Sequence, residues 1–346
     1  MSVRNANPRW GLRACLAAAA AVAALGVAAC GSDSDSPSST STPAASSGTS
    51  SSETPTKTTS VTIGTVPSAS ALPILVAEKA GLFKQVGLDA KIQLIGTPSN
   101  SYPSLIANKI QVLIGTATTT ITFNGNGAGV NIVAGYEVES TTADDDFFRV
   151  LALPKSGIKS VKDLAGKKVA VGQLNSLGTL SISGALMNAG LAPDAAKFVE
   201  IPFPNQLAAL KAGQVDAMWQ GEPFVTQSRA KEKLNLVCSC GFLTQPKIPV
   251  GAVTMTAAYE KQHPEVVTAI QKVMPLAYKY VQTHEDEARS LLKDFLKVDD
   301  ATAKNMSLPP YVDSFPIDSF HQLEDLLIKL KYIKKIPPDS SVLNLG

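Results

Sequence analysis

The feature that most constrains the fold is a repeated alternation of short β-rich runs with helical stretches, beginning at residue 60. Runs rich in Val, Ile and Thr, such as 61–66 and 110–115, alternate with helical segments such as 72–80. Pro73 stands in the first turn of that helix and Gly81 ends it. Strands separated by helices of this length predict right-handed β-α-β units and a largely parallel sheet. The chain is therefore predicted to be an α/β protein.

The same alternation starts again near residue 150. A helix is predicted over 177–188, and strands are predicted over 150–153, 168–172, 197–201, 214–219 and 234–238. Residues 210–215 repeat the helix end, tight stop and Gln-Val pair of residues 105–112. We therefore predict two lobes of similar build, each with a mostly parallel sheet. Lobe 1 comprises 60–149 plus 250–346, and lobe 2 is the inserted segment 150–249.

The first 59 residues have the composition of an export segment. Arg4, Arg9 and Arg13 precede an uncharged apolar stretch that ends at residue 29, as in a secretory signal. Small residues immediately before Cys30 resemble a bacterial lipobox, in which the thiol is lipidated and the signal is removed; the alternative is an ordinary signal peptide with Cys30 incidental. Residues 30–59 are rich in Ser, Thr and Pro, which predicts a disordered tether. We expect an exported lipoprotein, anchored by lipidated Cys30 to the outer face of the cytoplasmic membrane.

Charge and cysteine content narrow the possible partners. The 31 basic and 29 acidic residues form no concentrated basic stripe, so no nucleic-acid partner is expected. Cys238 and Cys240 either form a disulfide or remain buried thiols. No His and no second Cys pair lies near them, so they do not predict a metal site. No cofactor is predicted.

Three stretches, in this order, resemble one protein family. They are LPILVAEKAGLFK at 72–84, SVKDLAGKKVAV at 160–171, and AGQVDA at 212–217 followed by Glu222-Pro223-Phe224. They are similar to the nitrate/sulfonate/taurine-type (NMT1/THI5-like) periplasmic binding proteins. One departure is Gly221, which replaces the Trp of the family's Trp-Glu-Pro-Phe signature, while Trp219 lies two positions earlier.

The resemblance implies a two-lobed periplasmic-binding-protein fold of type II, the flytrap arrangement. Such a protein closes over a small-molecule ligand by a hinge motion and performs no chemistry. It also implies a membrane ABC permease as partner, which receives the ligand from a monomeric binding protein. The expected ligand is a sulfonate, a carboxylate, nitrate or a pyrimidine-like compound.

Candidate ligand-binding residues are the polar and aromatic side chains expected directly after strands. Ligands of open α/β sheets bind beyond the carboxyl ends of the strands, and helix N-termini there offer N–H groups to anions. The alternative role of such Ser, Thr and Asn residues is helix capping. The candidates are Ser68, Ser70, Ser99, Asn100, Thr116, Thr118, Thr119, Tyr136 and Glu137 in lobe 1, and Asn175, Ser176, Thr179, Trp219, Gln220 and Glu222 in lobe 2.

Side-chain chemistry suggests individual roles within this set. Trp219 could stack on a flat ligand or belong to the core. Glu222 could accept a hydrogen bond from a ligand amine or ring N–H, or supply favourable charge at a helix start. No Arg lies in these loops, so the ligand is either an anion held by hydroxyl and N–H donors or a neutral or zwitterionic compound. The acidic run 144–146 is interpreted as a solvated loop.

Two other function classes compete with solute capture. Catalysis is disfavoured because the chain contains neither Gly-x-Ser-x-Gly nor His-Glu-x-x-His, and its Gly-x-Gly-x-Gly at 125–129 leads into a strand. A pyrimidine-precursor synthase of the same superfamily is the enzyme alternative, and we predict that the chain is not an enzyme. A binding module that signals to a membrane receptor would have an identical cleft.

Overall fold

The computed structural model describes residues 58–96, 98–135, 137–312 and 314–346. The predicted signal segment, the Cys30 lipidation site, residues 30–57 of the predicted tether and Tyr136 lie outside these residues. Within the described ranges, no helix combines the length and the apolar character that crossing a membrane requires.

Five strands form the first sheet: β1 (Thr59–Thr65), β2 (Leu88–Leu94), β3 (Val112–Thr116), β4 (Val130–Ala134) and β10 (Gly251–Thr256). Their order across the sheet is β2-β1-β3-β10-β4. β1 is parallel to both β2 and β3, whereas β10 lies antiparallel between β3 and β4. Ile63 of β1 is 0% exposed. Burying such a side chain stabilises the fold by about 1.5–3 kcal/mol.

The second sheet repeats this arrangement with five further strands: β5 (Phe148–Ala152), β6 (Lys168–Val171), β7 (Lys197–Glu200), β8 (Ala217–Gly221) and β9 (Asn235–Cys238). Their order is β7-β6-β8-β5-β9. β6 is parallel to β7 and β8, and β5 is antiparallel to both β8 and β9. In each sheet four strands therefore share one direction, which confirms the predicted α/β class. The predicted lobe boundaries at 149/150 and 249/250 stay a prediction.

Helices connect the strands and cover the sheets. They are α1 (Leu72–Lys79), α2 (Leu82–Gln85), α3 (Pro98–Ile106), α4 (Ala117–Gly125), α5 (Leu177–Asn188), α6 (Phe203–Lys211), α7 (Phe224–Lys231), α8 (Cys240–Thr244), α9 (Ala257–Gln262), α10 (Pro264–Thr283), α11 (Glu285–Leu296), α12 (Asp300–Asn305) and α13 (Ile317–Lys329). Single 3₁₀ turns occur at Ala69–Ala71, Pro154–Ser156, Val161–Leu164 and Asp339–Ser341.

Two elements differ from the sequence-based prediction near the strand ends. β8 begins at Ala217 instead of 214 and continues to Gly221, because β5 pairs with it from Phe148 to Ala152. Gln220 therefore lies inside the strand and not after it, and Trp219 is the central residue of β8. Helix α3 begins at Pro98, a residue suited to the first helical position. Ser99 and Asn100 consequently belong to a helix and not to a loop.

Hydrophobic clusters pack against both sheets. Val266, Ile270 and Val273 on one face of α10 pack with the first-sheet residues Val61 and Ile63. Apolar residues of α13, namely Phe320, Leu323 and Leu327, join the core that contains Val150 and Val169 of the second sheet, Ile132 of the first sheet and Ile121 of α4. The C-terminal helix therefore packs against residues that belong to both sheets.

The segment that leads from β4 to β5 buries acidic groups. Asp146 is 0% exposed, and its Oδ1 accepts the Phe148 N–H at 2.8 Å. The expectation of a solvated acidic run is therefore wrong for Asp146, although Asp144 and Asp145 are exposed. The main-chain N–H of Phe148 replaces the solvent that Oδ1 of Asp146 loses on burial. Nearby, Cys238 and Cys240 form a disulfide, one of the two alternatives left open by the sequence.

Candidate functional site

A pocket lies where the strand ends of both sheets face each other. It encloses about 680 Å³ of space between atoms, including the part open to solvent. Its lining from the first half of the fold comprises Val66, Ser68, Ser70, Ser101, Tyr102, Ile114, Gly115, Thr116 and Thr119. Its lining from the second sheet and its helices comprises Phe148, Gly172, Gln173, Ser176, Leu177, Phe203 and Trp219. Of the described residues, none that lines the pocket is an Asp, Glu, Lys, Arg or His.

Hydroxyl groups at helix starts form the first-sheet side of the pocket. Thr116 ends β3 and caps α4, where its Oγ1 accepts the Thr119 N–H at 3.3 Å and donates to the Thr119 Oγ1 at 2.9 Å. Ser68 precedes the 3₁₀ turn that leads into α1, and its side chain makes no capping hydrogen bond. The α4 hydroxyls therefore combine the capping role with a position on the pocket surface.

A buried carboxyl group accepts a hydrogen bond from the pocket residue Ser70. The Ser70 hydroxyl donates to the Glu137 Oε1 at 2.9 Å, and Glu137 is 3% exposed. Burial raises the pKa of Glu137 to about 7, although the hydrogen bond from Ser70 opposes this rise. Glu137 does not line the pocket. Its position therefore suits it to orient the Ser70 hydroxyl and not to contact a ligand directly.

The start of α5 supplies the polar groups of the second-sheet side. Ser176 caps α5, and its hydroxyl donates to the Gln173 carbonyl oxygen at 2.7 Å. The Thr179 Oγ1 accepts the Ser176 N–H at 3.0 Å and the Tyr332 hydroxyl at 2.6 Å. Thr179 and Asn175 line a different surface cavity, on the side of α5 that faces Tyr332. Of these predicted residues, only Ser176 reaches the pocket between the sheets.

Three aromatic rings make an apolar wall. Trp219 stacks on Phe148 with ring centroids 4.6 Å apart and an interplanar angle of 10°. The Phe203 ring contacts the same indole, with ring centroids 5.6 Å apart and an interplanar angle of 58°. The Trp219 Nε1–H is buried and has no hydrogen-bond partner among the described residues. A flat or apolar ligand body would find favourable contacts here, and a ligand acceptor that reached the indole N–H would satisfy it.

Comparison with a family model decides the family. The model of the family described as NMT1/THI5 like matches residues 68–288. The chain belongs to the NMT1/THI5-like family. The sequence-based identification is therefore confirmed, and the matched residues contain most of both sheets and the strand-end residues of the pocket.

Individual relatives of this NMT1/THI5-like chain include one curated protein. A Bacillus subtilis protein assigned as an aliphatic sulfonates-binding protein is 25% identical over 251 residues, which cover 71% of this chain and 72% of that protein. This relative is named as a binding protein, which agrees with the prediction that the chain is not an enzyme.

Solved structures share the fold at low identity. The alkanesulfonate-binding protein SsuA of Xanthomonas axonopodis has a TM-score of 0.70 at 17% identity, covering 84% of this chain and 100% of that one. The aliphatic sulphonate binding protein SsuA of Escherichia coli has a TM-score of 0.66 at 16% identity, covering 83% of this chain and 92% of that one. The nitrate-binding protein NrtA of Synechocystis has a TM-score of 0.68 at 16% identity, covering 83% and 86%. These likenesses establish the predicted periplasmic-binding-protein fold.

Six of the predicted residues lie together on the pocket of this NMT1/THI5-like fold: Ser68, Ser70, Thr116, Thr119, Ser176 and Trp219. The other described candidates lie off its lining: Ser99, Asn100, Thr118, Glu137, Asn175, Thr179, Gln220 and Glu222. Tyr136 lies outside the described residues. Thr118 is fully buried in α4, and Gln220 is 1% exposed and donates to the Phe203 carbonyl oxygen at 3.2 Å. Ligand contact remains a prediction for the whole set.

Glu222 links parts of the chain that belong to different sheets. Its Oε1 accepts the Ser307 N–H at 3.4 Å, and its carbonyl oxygen accepts the Ala69 N–H at 3.1 Å. Its carboxylate also accepts the N–H and the hydroxyl of Thr226. Burial raises the pKa of Glu222. This geometry fits a role in holding the two halves of the fold together at the pocket edge.

Sequence reasoning missed most of the aromatic lining. Phe203 lies shortly after β7, at the start of α6, so the same strand-end rule that selected Ser176 would have found it. Tyr102 lies on α3 and donates to the Thr116 carbonyl oxygen at 3.2 Å. Phe148 lies in β5, two residues before the predicted start of that strand. Only the antiparallel pairing of Phe148 with Gly221 brings its ring to the end of β8.

Proposed function

We propose that the chain is the extracytoplasmic solute-binding protein of an ABC importer. It captures a small organic ligand between its two sheets and delivers it to a membrane permease. The observation that carries this proposal is a pocket lined from both sheets at their strand ends, because a hinge motion that brings the sheets together would enclose a ligand there. The family and the relatives named above support the same role.

The pocket lining favours an organic ligand with an apolar, preferably aromatic body and a small polar or anionic head. Trp219, Phe148 and Phe203 offer an apolar wall of a size that a bare nitrate ion would not use. Hydroxyls of Ser68, Thr116 and Ser176 lie at helix starts, whose N–H groups favour negative charge. A sulfonate or carboxylate on a ring or alkyl chain matches both features, and a pyrimidine-like ligand matches the aromatic wall.

The ligand class is tested by calorimetry and thermal shift on the purified protein. The panel comprises aromatic sulfonates, alkanesulfonates, aromatic carboxylates, pyrimidines and nitrate. A ligand that binds only the folded state raises the melting temperature, so we expect a rise with at least one organic anion and none with nitrate. Tight binding of nitrate alone would overturn the ligand class, and a lack of binding across the panel would count against solute capture itself.

We further propose that residues 1–29 are removed and that Cys30 carries the lipid anchor, with 30–59 as the tether. Two or more acyl chains hold a protein stably at a membrane, whereas one gives only marginal binding. Replacing the thiol, as in Cys30→Ser, should move the protein from the membrane fraction to the soluble fraction, whereas the control Cys238→Ser should leave it on the membrane. Equal membrane retention of Cys30→Ser would contradict lipidation at this residue.

A further inference from the structure

A cluster outside the pocket combines one imidazole with two carboxyl groups. His321 and Glu324 stand three residues apart on α13, so they share a face of the helix. Asp339 opens the 3₁₀ turn Asp339–Ser341 of the C-terminal tail. One potential ligand atom from each residue lies within 4.8 Å of the other two. The His321 Nε2 and the Asp339 Oδ2 are 3.1 Å apart.

Glu324 is the unusual member of the cluster. It is 1% exposed, and its Oε1 has no hydrogen-bond partner among the described residues. A buried carboxylate oxygen without a hydrogen-bond partner is costly because it has lost its hydration. The charged groups that act on it are Asp339, Asp325 and His321, and two of these three are acidic. A bound cation would supply the compensating charge.

We propose that His321, Glu324 and Asp339 form a binding site for a divalent transition metal of the Zn²⁺ class. One imidazole and two carboxylates are ligands that Zn²⁺ accepts, and water can complete a tetrahedral set. His321 and Asp339 are 47% and 54% exposed, so the ion can enter from solvent. The sequence alone predicted no metal because Asp339 is far from the His321–Glu324 pair along the chain.

The ion would stiffen the C-terminal tail, which lies against the first sheet. The Ile132 N–H donates to the Val342 carbonyl oxygen at 2.7 Å, and the Asn344 N–H donates to the Ile132 carbonyl oxygen at 2.9 Å. Asp339 precedes these residues, while α13 packs into the core shared with the second sheet. Coordination therefore joins the tail on β4 to the helix that contacts both sheets.

The test titrates metal-free full-length protein with ZnCl₂ by calorimetry, without any solute, and repeats the titration with Co²⁺ to record its visible absorption. We expect saturable binding of one ion, a higher melting temperature, and slower hydrogen exchange at 339–344. Glu324→Gln and Asp339→Asn should each weaken binding at least tenfold. Asp339 is exposed, so its variant is expected to fold even if Glu324→Gln does not.

A matched control is available at His263. Its Nδ1 lies 3.2 Å from the Glu265 Oε1 in an exposed His–carboxylate pair. His263→Gln should leave the affinity for Zn²⁺ unchanged. The proposal is overturned if no saturable binding occurs, if Asp339→Asn binds as tightly as the parent protein, or if His263→Gln removes the binding. Solute binding plays no part in these measurements, so the result does not depend on the proposed function.

Discussion

Trp219 shows at the scale of one residue how a core position and a pocket position coincide. It is 4% exposed and stacks on Phe148, yet it lines the pocket and leaves its indole N–H without a partner. The two interpretations of this residue that the sequence left open, core and cleft wall, are therefore compatible. The Phe148 ring covers one face of the indole, and this stack holds the indole in place.

We expect Trp219→Leu to weaken binding of the organic ligand at least tenfold, because the stacking surface and the N–H donor are both lost. Calorimetry with a ligand identified in the panel measures the change. Phe224→Leu is the control, since Phe224 contacts Phe203 but does not line the pocket. Unchanged affinity of Trp219→Leu would remove this residue from the site.

At the scale of elements, the pocket depends on how closely α5 approaches β8. A Cβ atom at Gly178, in the first turn of α5, would lie 2.6 Å from the Trp219 Cε3. Further along the same helix, a Cβ atom at Gly184 would lie 2.3 Å from the Thr244 Cγ2. Both glycines allow close packing, but only Gly178 faces the aromatic wall.

This difference gives a paired prediction. Gly178→Ala and Gly184→Ala should each lower the free energy of unfolding by about 1–3 kcal/mol through overpacking. In protein that lacks residues 1–29, where Trp219 is the remaining tryptophan, only Gly178→Ala should shift the indole emission and weaken ligand binding. Denaturant unfolding followed by fluorescence measures both effects. An equal emission shift in Gly184→Ala would show that the change spreads through the helix.

At the scale of the whole molecule, hydrogen bonds join the two halves of the fold at the pocket edge. The Ser99 hydroxyl on α3 donates to the Glu200 Oε1 at 2.5 Å, and the Leu174 N–H donates to the Glu200 Oε2 at 3.1 Å. Glu200 ends β7 of the second sheet, so its carboxylate connects this sheet to α3. Such bonds add to the stability of the arrangement in which the sheets are close.

Removing one of these bonds should therefore affect ligand release. We expect Ser99→Ala to speed dissociation about three- to tenfold, in line with about 1 kcal/mol for a hydrogen bond of this kind. Stopped-flow measurement of ligand dissociation provides the readout. Ser104→Ala is the control, because the Ser104 hydroxyl donates to the Asn100 carbonyl oxygen within the same helix. Equal dissociation rates in the two variants would mean that the Ser99–Glu200 bond does not contribute to closure.

Acidic groups buried in the segment that connects β4 to β5 make stability depend on pH. Burial raises the pKa of Glu137 to about 7 and that of Asp146 to about 6, and it raises the pKa of Glu139 well above its ordinary value of 4.5. Between the ordinary and the raised values, the folded state holds protons that the unfolded chain has lost. The stabilising contribution of these groups is therefore complete below about pH 4 and declines as the pH rises towards 7.

The Glu137→Gln variant isolates one part of this dependence. Glutamine keeps an acceptor for the Ser70 hydroxyl but does not titrate, so the decline between pH 4.5 and 7 should become shallower. One fully linked proton changes the free energy of unfolding by about 1.4 kcal/mol per pH unit. Urea unfolding across this range measures the slope. Asp144→Asn, an exposed change in the same segment, should leave the slope as it is, and an unchanged slope in Glu137→Gln would contradict the assignment.

Local patterns along the chain were sufficient to predict most of the fold. The predicted helix over 177–188 coincides with α5, because its cap and its terminating glycine are local signals. The rule that ligands bind beyond strand ends likewise selected Ser68, Ser70, Thr116 and Ser176, and all four line one pocket. These features follow from the sequence because turn, capping and strand-forming preferences act between neighbouring residues.

Contacts between distant residues were decided by the tertiary structure alone. The placement of Phe148 beside Trp219 needs antiparallel pairing between β5 and β8, and the burial of Glu137 needs the packing of Gly251 against it. The distance from Asp339 to His321 likewise depends on where the C-terminal tail lies on β4. Residue types and periodicity carry no information about such distances, since many chain paths satisfy the same local pattern. Packing of the complete chain selects one of them.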